Sequence, residues 1–303
     1  MPKKGTNKMD TYLPRPFGEV DTILIATDGT EYSEGAIQEA IFFGQSCNAK
    51  LIVLHVIKTD SEMAISAHAQ VAEKKNKVMP HLERIQAMAE NEGIDCQIVV
   101  SGSFQPDKTI VDEAVKHKAD VIIMGLCGKS GLKKFFIGSM TTKVIGHGFP
   151  KVLVVPRDFL NTGEDIIFAS DGSKYSELAC QDVISMSKSC TTLTKITVLS
   201  VAEREHDLTA AQGNIDAIHS TFTRNSVKTE YTTSAVAGRP SEIIVETAKA
   251  NNSDMIIVGG YGLSGVSKML MGSTTERIIA MTPCAVLVVG DASLYEAAPE
   301  NNG

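Results

Sequence analysis

The residues of this chain that most clearly indicate a binding site are glycines, which stand at a fixed spacing after a short apolar run. Gly125 ends the run VIIMG, and the pattern continues as Gly125-x2-Gly128-x9-Gly138-Ser139. Glycine lets the backbone turn tightly and approach a ligand closely. Ser139 is a typical helix N-cap, and a helix N-terminus offers N–H groups to an anion. The spacing predicts a phosphate-binding loop, although glycines that only shape a loop would give the same pattern.

The same pattern occurs a second time. Gly259-x2-Gly262-x9-Gly272-Ser273 repeats the spacing to the residue, after the apolar run MIIVG. Ligands of open α/β sheets bind at the carboxyl ends of the strands, where both patterns begin. The duplication therefore favours two phosphate sites over two coincidental loops.

An aspartate follows the first apolar run of each copy. Asp28 follows ILIAT and precedes Gly29, and Asp171 follows IIFAS and precedes Gly172. A carboxylate at this edge can accept hydrogen bonds from a ribose or a base. The alternative is an Asx turn or a cap for the next helix. Beside a glycine loop we favour ligand contact.

These motifs belong to a repeat that covers almost the whole chain. Apolar, β-branched runs alternate with stretches of helical periodicity, among them 32–46, 62–92, 106–118 and 139–147 in the first copy. This alternation predicts βαβ units and a parallel sheet covered on both faces. The predicted strands are 22–27, 51–57, 96–101, 120–125 and 151–155, then 165–170, 194–201, 227–234, 254–259 and 285–289.

The two copies differ in length between the aspartate and glycine motifs. The second copy is nine residues shorter there. Matching residues of the two copies are 171 − 28 = 143 positions apart at the aspartate but only 259 − 125 = 134 apart at the first glycine. We place most of this difference in residues 59–92, where Pro80 predicts a split or kinked helix. The predicted organisation is a flexible arm at 1–19, a first domain at 20–157, a linker at 158–164, a second domain at 165–290 and a tail at 291–303.

Composition narrows the classes of function. The net charge is −7, from 29 Lys and Arg against 36 Asp and Glu, which argues against binding nucleic acid or an anionic membrane surface. No apolar run is long enough to span a membrane, and the N-terminus lacks the apolar segment of a signal peptide. The six cysteines form no CxxC pair and no zinc spacing. We expect reduced thiols, no bound metal and a cytoplasmic protein.

With these motifs the chain resembles the universal stress protein family, in its tandem two-domain form and ATP-binding subclass. The resemblance implies an α/β fold of two tandem Rossmann-like domains, of the adenine nucleotide alpha hydrolase-like type. Each would hold a five-stranded parallel sheet in order 3-2-1-4-5, with helices on both faces. The implied ligand is ATP, AMP or ADP, with or without Mg²⁺.

The resemblance also implies two sets of binding residues, carried over by position. Asp28 would meet the adenine or ribose, Ala26 and Val56 would wall the base, and the glycine loop would hold the phosphates. We call these sets the first pocket and the second pocket. The first comprises Ala26, Asp28, Val56, Met124, Gly125, Gly128, Gly138, Ser139 and Met140, and the second Ala169, Asp171, Val201, Val258, Gly259, Gly262, Gly272, Ser273 and Thr274.

The chain departs from the family just before the second glycine of each loop. Family members often carry Arg or His there, whereas this chain has Cys127 and Tyr261. Lys129 can substitute for the missing cation in the first copy, but Leu263 cannot in the second. We therefore expect the second pocket to hold phosphate less strongly.

The sequence favours a nucleotide-binding sensor or regulator in a stress response over a fast enzyme. We find no nucleophile–base pair or paired carboxylates beside the loops, and a Walker A motif would need glycine where Ile123 stands. His55 alone lies near the site, while helical histidines such as His81 are predicted to be solvated. Two alternatives stay open: a slow ATPase or nucleotidyl transferase on the same fold, and a structural protein with vestigial loops.

The fifth strand of each domain suggests how the domains associate. Both strands, at 151–155 and 285–289, are apolar and lie at a sheet edge in the implied order, and an exposed edge invites pairing. In the family, two domains join through these strands. We expect an intramolecular pseudo-dimer of this kind, and a homodimer of chains as a further possibility.

Overall fold

A computed structural model describes residues 14–59, 64–126, 137–261 and 271–291. Strands and helices alternate through both halves, and every predicted strand is present. The strands are β1 Thr22–Ala26, β2 Lys50–Lys58, β3 Cys96–Ser103, β4 Val121–Gly125, β5 Lys151–Val155, β6 Asp165–Ala169, β7 Lys195–Ala202, β8 Glu230–Ala237, β9 Met255–Gly259 and β10 Ala285–Val289. The helices are α1 Glu34–Cys47, α2 Ala64–Asn91, α3 Pro106–Lys116, α4 Ser139–Gly146, α5 Lys174–Ser189, α6 Leu208–Arg224, α7 Pro240–Asn251 and α8 Ser273–Met281.

All of these strands lie in one sheet. Its order is β3-β2-β1-β4-β5-β10-β9-β6-β7-β8, so the two five-stranded halves join through β5 and β10 into one ten-stranded sheet. Pairing is parallel within each half, while β5 and β10 pair antiparallel, with Leu153 opposite Leu287. Because that pair is antiparallel, the carboxyl edges of the two halves face opposite ways.

The core has two layers, one on each face of the sheet. Alternating residues of β1 enter different layers: Ile23 and Ile25 pack with α1 and α2, whereas Leu24 packs with α3 and α4. The central strands β5 and β10 are buried at every position. Continuous apolar runs of this kind are what a doubly covered sheet requires.

Residues 14–19, the described part of the predicted arm, and the linker both contact the two domains, whereas residues 1–13 lie outside the described residues. Phe17 is buried against Phe43 with ring centroids 4.8 Å apart, and its N–H donates to Asp182 Oδ1 at 2.7 Å. In the linker, Asn161 donates to Glu39 of the first domain. The backbone N–H of Thr162 donates to Asp254 of the second domain. Residues 14–19 and the linker therefore tie the domains together.

Helix α2 continues through Pro80, so of the predicted split or kink the split is wrong. The helix is 28 residues long, and its counterpart α6 has 17 residues. This difference confirms that the length difference between the copies lies between the second and third strands. None of the helices in the described residues is long and apolar enough to cross a bilayer.

Candidate functional site

The first glycine loop is closed at its base by three hydrogen bonds. Leu126 N donates to Val155 O at 2.9 Å, and Gly138 N donates to Leu126 O at 2.8 Å. The Thr141 hydroxyl donates to the carbonyl of Gly125 at 3.0 Å. These bonds set the N-terminus of α4 at the carboxyl end of β4. Gly128 lies outside the described residues.

The second loop is closed in the same way. Gly260 N donates to Val289 O at 2.8 Å, and Gly272 N donates to Gly260 O at 3.0 Å. The Thr275 hydroxyl donates to the carbonyl of Gly259 at 2.9 Å. The two threonines play a positioning role that the sequence reasoning missed; their matching places three residues after each last glycine were the available signal. Gly262 lies outside the described residues.

The helix caps differ from the predicted serine caps. The N-cap of α4 is Gly138 and that of α8 is Gly272, so Ser139 and Ser273 are first helical residues, and both are exposed. Neither glycine can supply the side-chain oxygen that normally satisfies a first-turn N–H group. By contrast, Ser173 caps α5 through its hydroxyl. The first turns of α4 and α8 thus suit an external anion.

Asp28 forms the turn that the sequence offered as one of its two roles. Its Oδ1 accepts hydrogen bonds from Thr30 N at 3.0 Å, Thr30 Oγ1 at 2.6 Å and Ser33 Oγ at 3.2 Å. This is the Asx turn of the structural alternative. Within the described residues these bonds all end on Oδ1, which leaves Oδ2 for a ligand. Asp171 repeats the turn, since its Oδ1 accepts from Ser173 N at 3.0 Å.

The apolar members of each pocket share one layer of the core. Ala26 lies beside Met124 in the sheet, just as Ala169 lies beside Val258. The half-buried Val56, Met140 and Val201 pack against this same layer, and Thr274 is half-buried in the first turn of α8. The structure thus brings the described residues of each set to one carboxyl edge.

His81 belongs to the surroundings of the first pocket, although the sequence predicted it to be solvated. It is half-buried, and its Nε2 lies 3.4 Å from Thr27 Oγ1. Burial is the main cause that lowers the pKa of His81. Val78 packs against Gly29. Because residues three apart share a helix face, the spacing of His81 from Val78 was the signal that could have placed His81 near the turn.

Tyr261 stands just before the second glycine of its loop, where the family resemblance predicts a cation. Its hydroxyl donates to Ile145 O of the first domain at 3.2 Å, and its ring centroid lies 5.0 Å from that of Tyr175. Burial raises the pKa of Tyr261. The side chain is therefore committed to the contact between the domains. Cys127, its counterpart, lies outside the described residues.

In each domain an ion pair joins the turn after the first strand to the segment after the fifth strand. The acidic partner lies in the turn of the first domain, whereas the basic partner lies in the turn of the second domain. Glu31 pairs with Arg157 at 2.8 Å in the first domain. At the matching positions of the second domain, Lys174 pairs with Asp291 at 2.5 Å. This pairing raises the pKa of Lys174. Each pair fixes the turn after the first strand without adding net charge to the pocket.

The described residues offer little for nucleophilic or metal chemistry. Burial raises the pKa of Cys180 and Cys284 to about 11, and such thiols are protonated and weakly nucleophilic at neutral pH. No cluster of three His, Cys, Asp or Glu side chains in these ranges could hold a metal ion. A cavity of about 300 Å³ lies between the domains, lined in part by Phe43, Cys47 and Cys190, and is separate from both loops.

Comparison with known proteins gives a consistent family. The profile of the Universal stress protein family matches residues 19–156 and 164–290. A universal stress protein of Methanocaldococcus jannaschii is 30% identical over 139 residues, covering 45% of this chain and 81% of the relative. One from Synechocystis is 22% identical over 290 residues, covering 88% and 98%.

A solved structure extends the likeness to the whole fold. The crystal structure of a universal stress protein from Archaeoglobus fulgidus matches with a TM-score of 0.70 at 22% identity, covering 89% of this chain and 98% of that chain. At this identity the match shows a shared two-domain fold. Since the family profile covers two consecutive segments spanning most of the sequence, the chain belongs to the Universal stress protein family and carries two family domains in tandem.

Proposed function

We propose that this protein binds an adenine nucleotide, ATP, ADP or AMP, in each of its two pockets and acts as a nucleotide-dependent regulator in a stress response. The observation that carries the proposal is the matched loop closure, in which Thr141 and Thr275 set a helix N-terminus beside Gly125 and Gly259. First-turn amides can bind phosphates there. The resemblance to the ATP-binding subclass supports the choice of nucleotide.

The remaining residues fit the same ligand. Asp28 offers Oδ2 to a ribose or base, and Ala26 and Val56 form an apolar wall at the neighbouring strand ends. A Mg²⁺ ion would then be carried by the phosphates, since such ions are bound largely by water and phosphate oxygens. A cytoplasmic location and a homodimer of chains stay predictions from the sequence.

Two substitutions separate the pockets. Gly138 and Gly272 have φ of −59°, which valine adopts without strain, so Gly138→Val and Gly272→Val should obstruct the phosphates and leave the fold intact. Calorimetric titration of the full chain with ATP should give two sites, each single variant one, and the double variant none. The unfolding temperature should rise with ATP concentration, because ATP binds the folded state and stabilises it by mass action. Gly213→Val, in open space on α6, is the control.

The same titrations test the order of affinity. We propose that the second pocket is the weaker, because Tyr261 is held by Ile145 and Tyr175 and supplies no cation. Gly138→Val should therefore bind ATP less tightly than Gly272→Val. Tighter binding by Gly138→Val would contradict the order. Failure of the unmodified chain to bind any adenine nucleotide would contradict the proposed function and favour the structural alternative.

The enzymatic alternative has its own signature. A slow ATPase would release phosphate, and a nucleotidyl transferase would leave an AMP adduct detectable by mass spectrometry. Either product should disappear in the Gly138→Val, Gly272→Val double variant.

A further inference from the structure

Two histidines support the turn that carries Asp28. His55 Nδ1 donates to the carbonyl oxygen of Thr27 at 2.9 Å, since a carbonyl can only accept. His81 Nε2 lies 3.4 Å from the hydroxyl of the same threonine. That hydroxyl also accepts the N–H of Gly29 at 3.1 Å. Strand β2 and helix α2 therefore meet at the residue before Asp28.

No free space separates α2 from this turn. Gly29 has φ of +76°, and a Cβ placed there would lie 2.8 Å from Val78 Cγ2 and 3.8 Å from His55 Cε1. Val78 and His81 are one helical turn apart on α2. A change in hydrogen bonding at His81 is thus felt directly by the turn that holds Asp28.

The second domain has the same framework without histidines. Ser170, the counterpart of Thr27, accepts the N–H of Gly172 at 3.3 Å. Ser200, the counterpart of His55, accepts from Asn214 Nδ2 at 3.3 Å. Asn214 packs against Gly172 as Val78 packs against Gly29. None of Ser170, Ser200 and Asn214 titrates near neutral pH, so the second pocket is a natural control.

The charges around His81 define its response to pH. Burial, Arg84 on the same helix and His55 on β2 lower its pKa, whereas Glu34 at the start of α1 and Asp28 raise it. Arg84 and Glu34 also pair with each other. The lowered pKa favours the neutral imidazole at neutral pH, and acidification then creates a cation whose charge interacts with the Asp28 carboxylate.

We propose that His81 is a proton-sensitive positioning residue of the first pocket, so that acidification releases nucleotide from the first domain and leaves the second loaded. The inference rests on the proposed function. An imidazolium attracts the Asp28 carboxylate that the ligand needs, and its proton must be given up when the nucleotide binds. By linkage, the loss of affinity then approaches about tenfold per pH unit below the pKa of His81 in the free protein.

The experiment measures ATP affinity of the full chain between about pH 7.5 and pH 5. The Gly272→Val variant reports the first pocket and Gly138→Val the second, and titration of the ATP phosphates affects both alike. The first pocket should weaken more than the second over this range, by up to about tenfold for each pH unit below the pKa of His81 in the free protein. Adding His81→Gln, whose amide does not titrate, should remove that difference and retain binding at pH 7.5.

A second measurement does not depend on ATP. The NMR titration of His81 in the free chain should show a lower pKa in Asp28→Asn, because the facing carboxylate is gone. Equal pH dependence of the two pockets would overturn the inference and leave the proposed function standing. The same conclusion would follow if the difference between the pockets survived in His81→Gln. If neither single-site variant binds ATP at any pH, the inference and the proposed function are both overturned.

Discussion

Asp28 shows how one side chain can shape a turn and still keep an oxygen outside the hydrogen bonds of that turn. Three hydrogen bonds to Oδ1 fix the turn, and the carboxylate is then held with Oδ2 free of those bonds. Preorganisation of this kind lowers the ordering cost of binding. The glycine that follows is needed as much as the aspartate, because the turn requires a positive φ and comes close to α2.

We expect Gly29→Ala to destabilise the chain more than Gly93→Ala. Both glycines have φ near +76°, but a Cβ at Gly29 would lie 2.8 Å from Val78, whereas Gly93 has nothing within 4 Å. The left-handed backbone alone costs about 1–2 kcal/mol for alanine, and Gly29→Ala adds overpacking of about 1–3 kcal/mol. Urea unfolding of both variants measures the difference. Equal losses would show that contact with α2 does not constrain the turn.

Among the secondary-structure elements, α4 and α8 are short helices whose N-termini lie at the carboxyl ends of β4 and β9. A threonine in the first turn of each bonds to the last carbonyl of the neighbouring strand, and the preceding glycine closes the loop. These matching bonds place the helix N-terminus at the carboxyl end of the neighbouring strand in both domains. The long α2 has a different task, since it covers the Asp28 turn and brings His81 to it.

Thr141→Val should weaken ATP binding in the first pocket several-fold and leave the second unchanged. Valine preserves the shape but leaves the carbonyl of Gly125 without its donor, which costs about 1–3 kcal/mol for a buried group. Calorimetry in the Gly272→Val background measures the effect on the first pocket. Thr275→Val is the matched control and should weaken only the second pocket. Equal losses at both pockets from either change would argue against local positioning.

At the scale of the whole molecule, the junction of the domains contains buried carboxyl groups. Burial raises the pKa of Glu39 to about 8, with Asp254 of the other domain adding to the rise and the hydrogen bond from Asn161 opposing it. Burial likewise raises the pKa of Asp182 to about 6, although Lys151 opposes this. The junction therefore carries protons that the unfolded chain would release.

The thermal stability of the chain should fall as pH rises from about 6.5 to 8. Folded Glu39 holds its proton up to about pH 8, whereas its ordinary pKa is 4.5, so unfolding releases a proton throughout this window. Glu39→Gln should flatten the slope and raise the unfolding temperature at pH 8, since glutamine can still accept from Asn161. The exposed Glu83→Gln should keep the original slope. An unchanged slope in Glu39→Gln would show that this carboxyl does not govern it.

The repeat, the alternation of strands and helices and the place of the glycine loops can be predicted from the sequence alone. Those features are written in local periodicity and in residue types with special backbone freedom. Only the tertiary structure showed that Phe17 is buried between the domains and that α2 continues through Pro80. It also placed His81 beside Thr27 and committed Tyr261 to Ile145. The reason is physical: these contacts join residues far apart in the chain, and packing against distant partners overrides local preference.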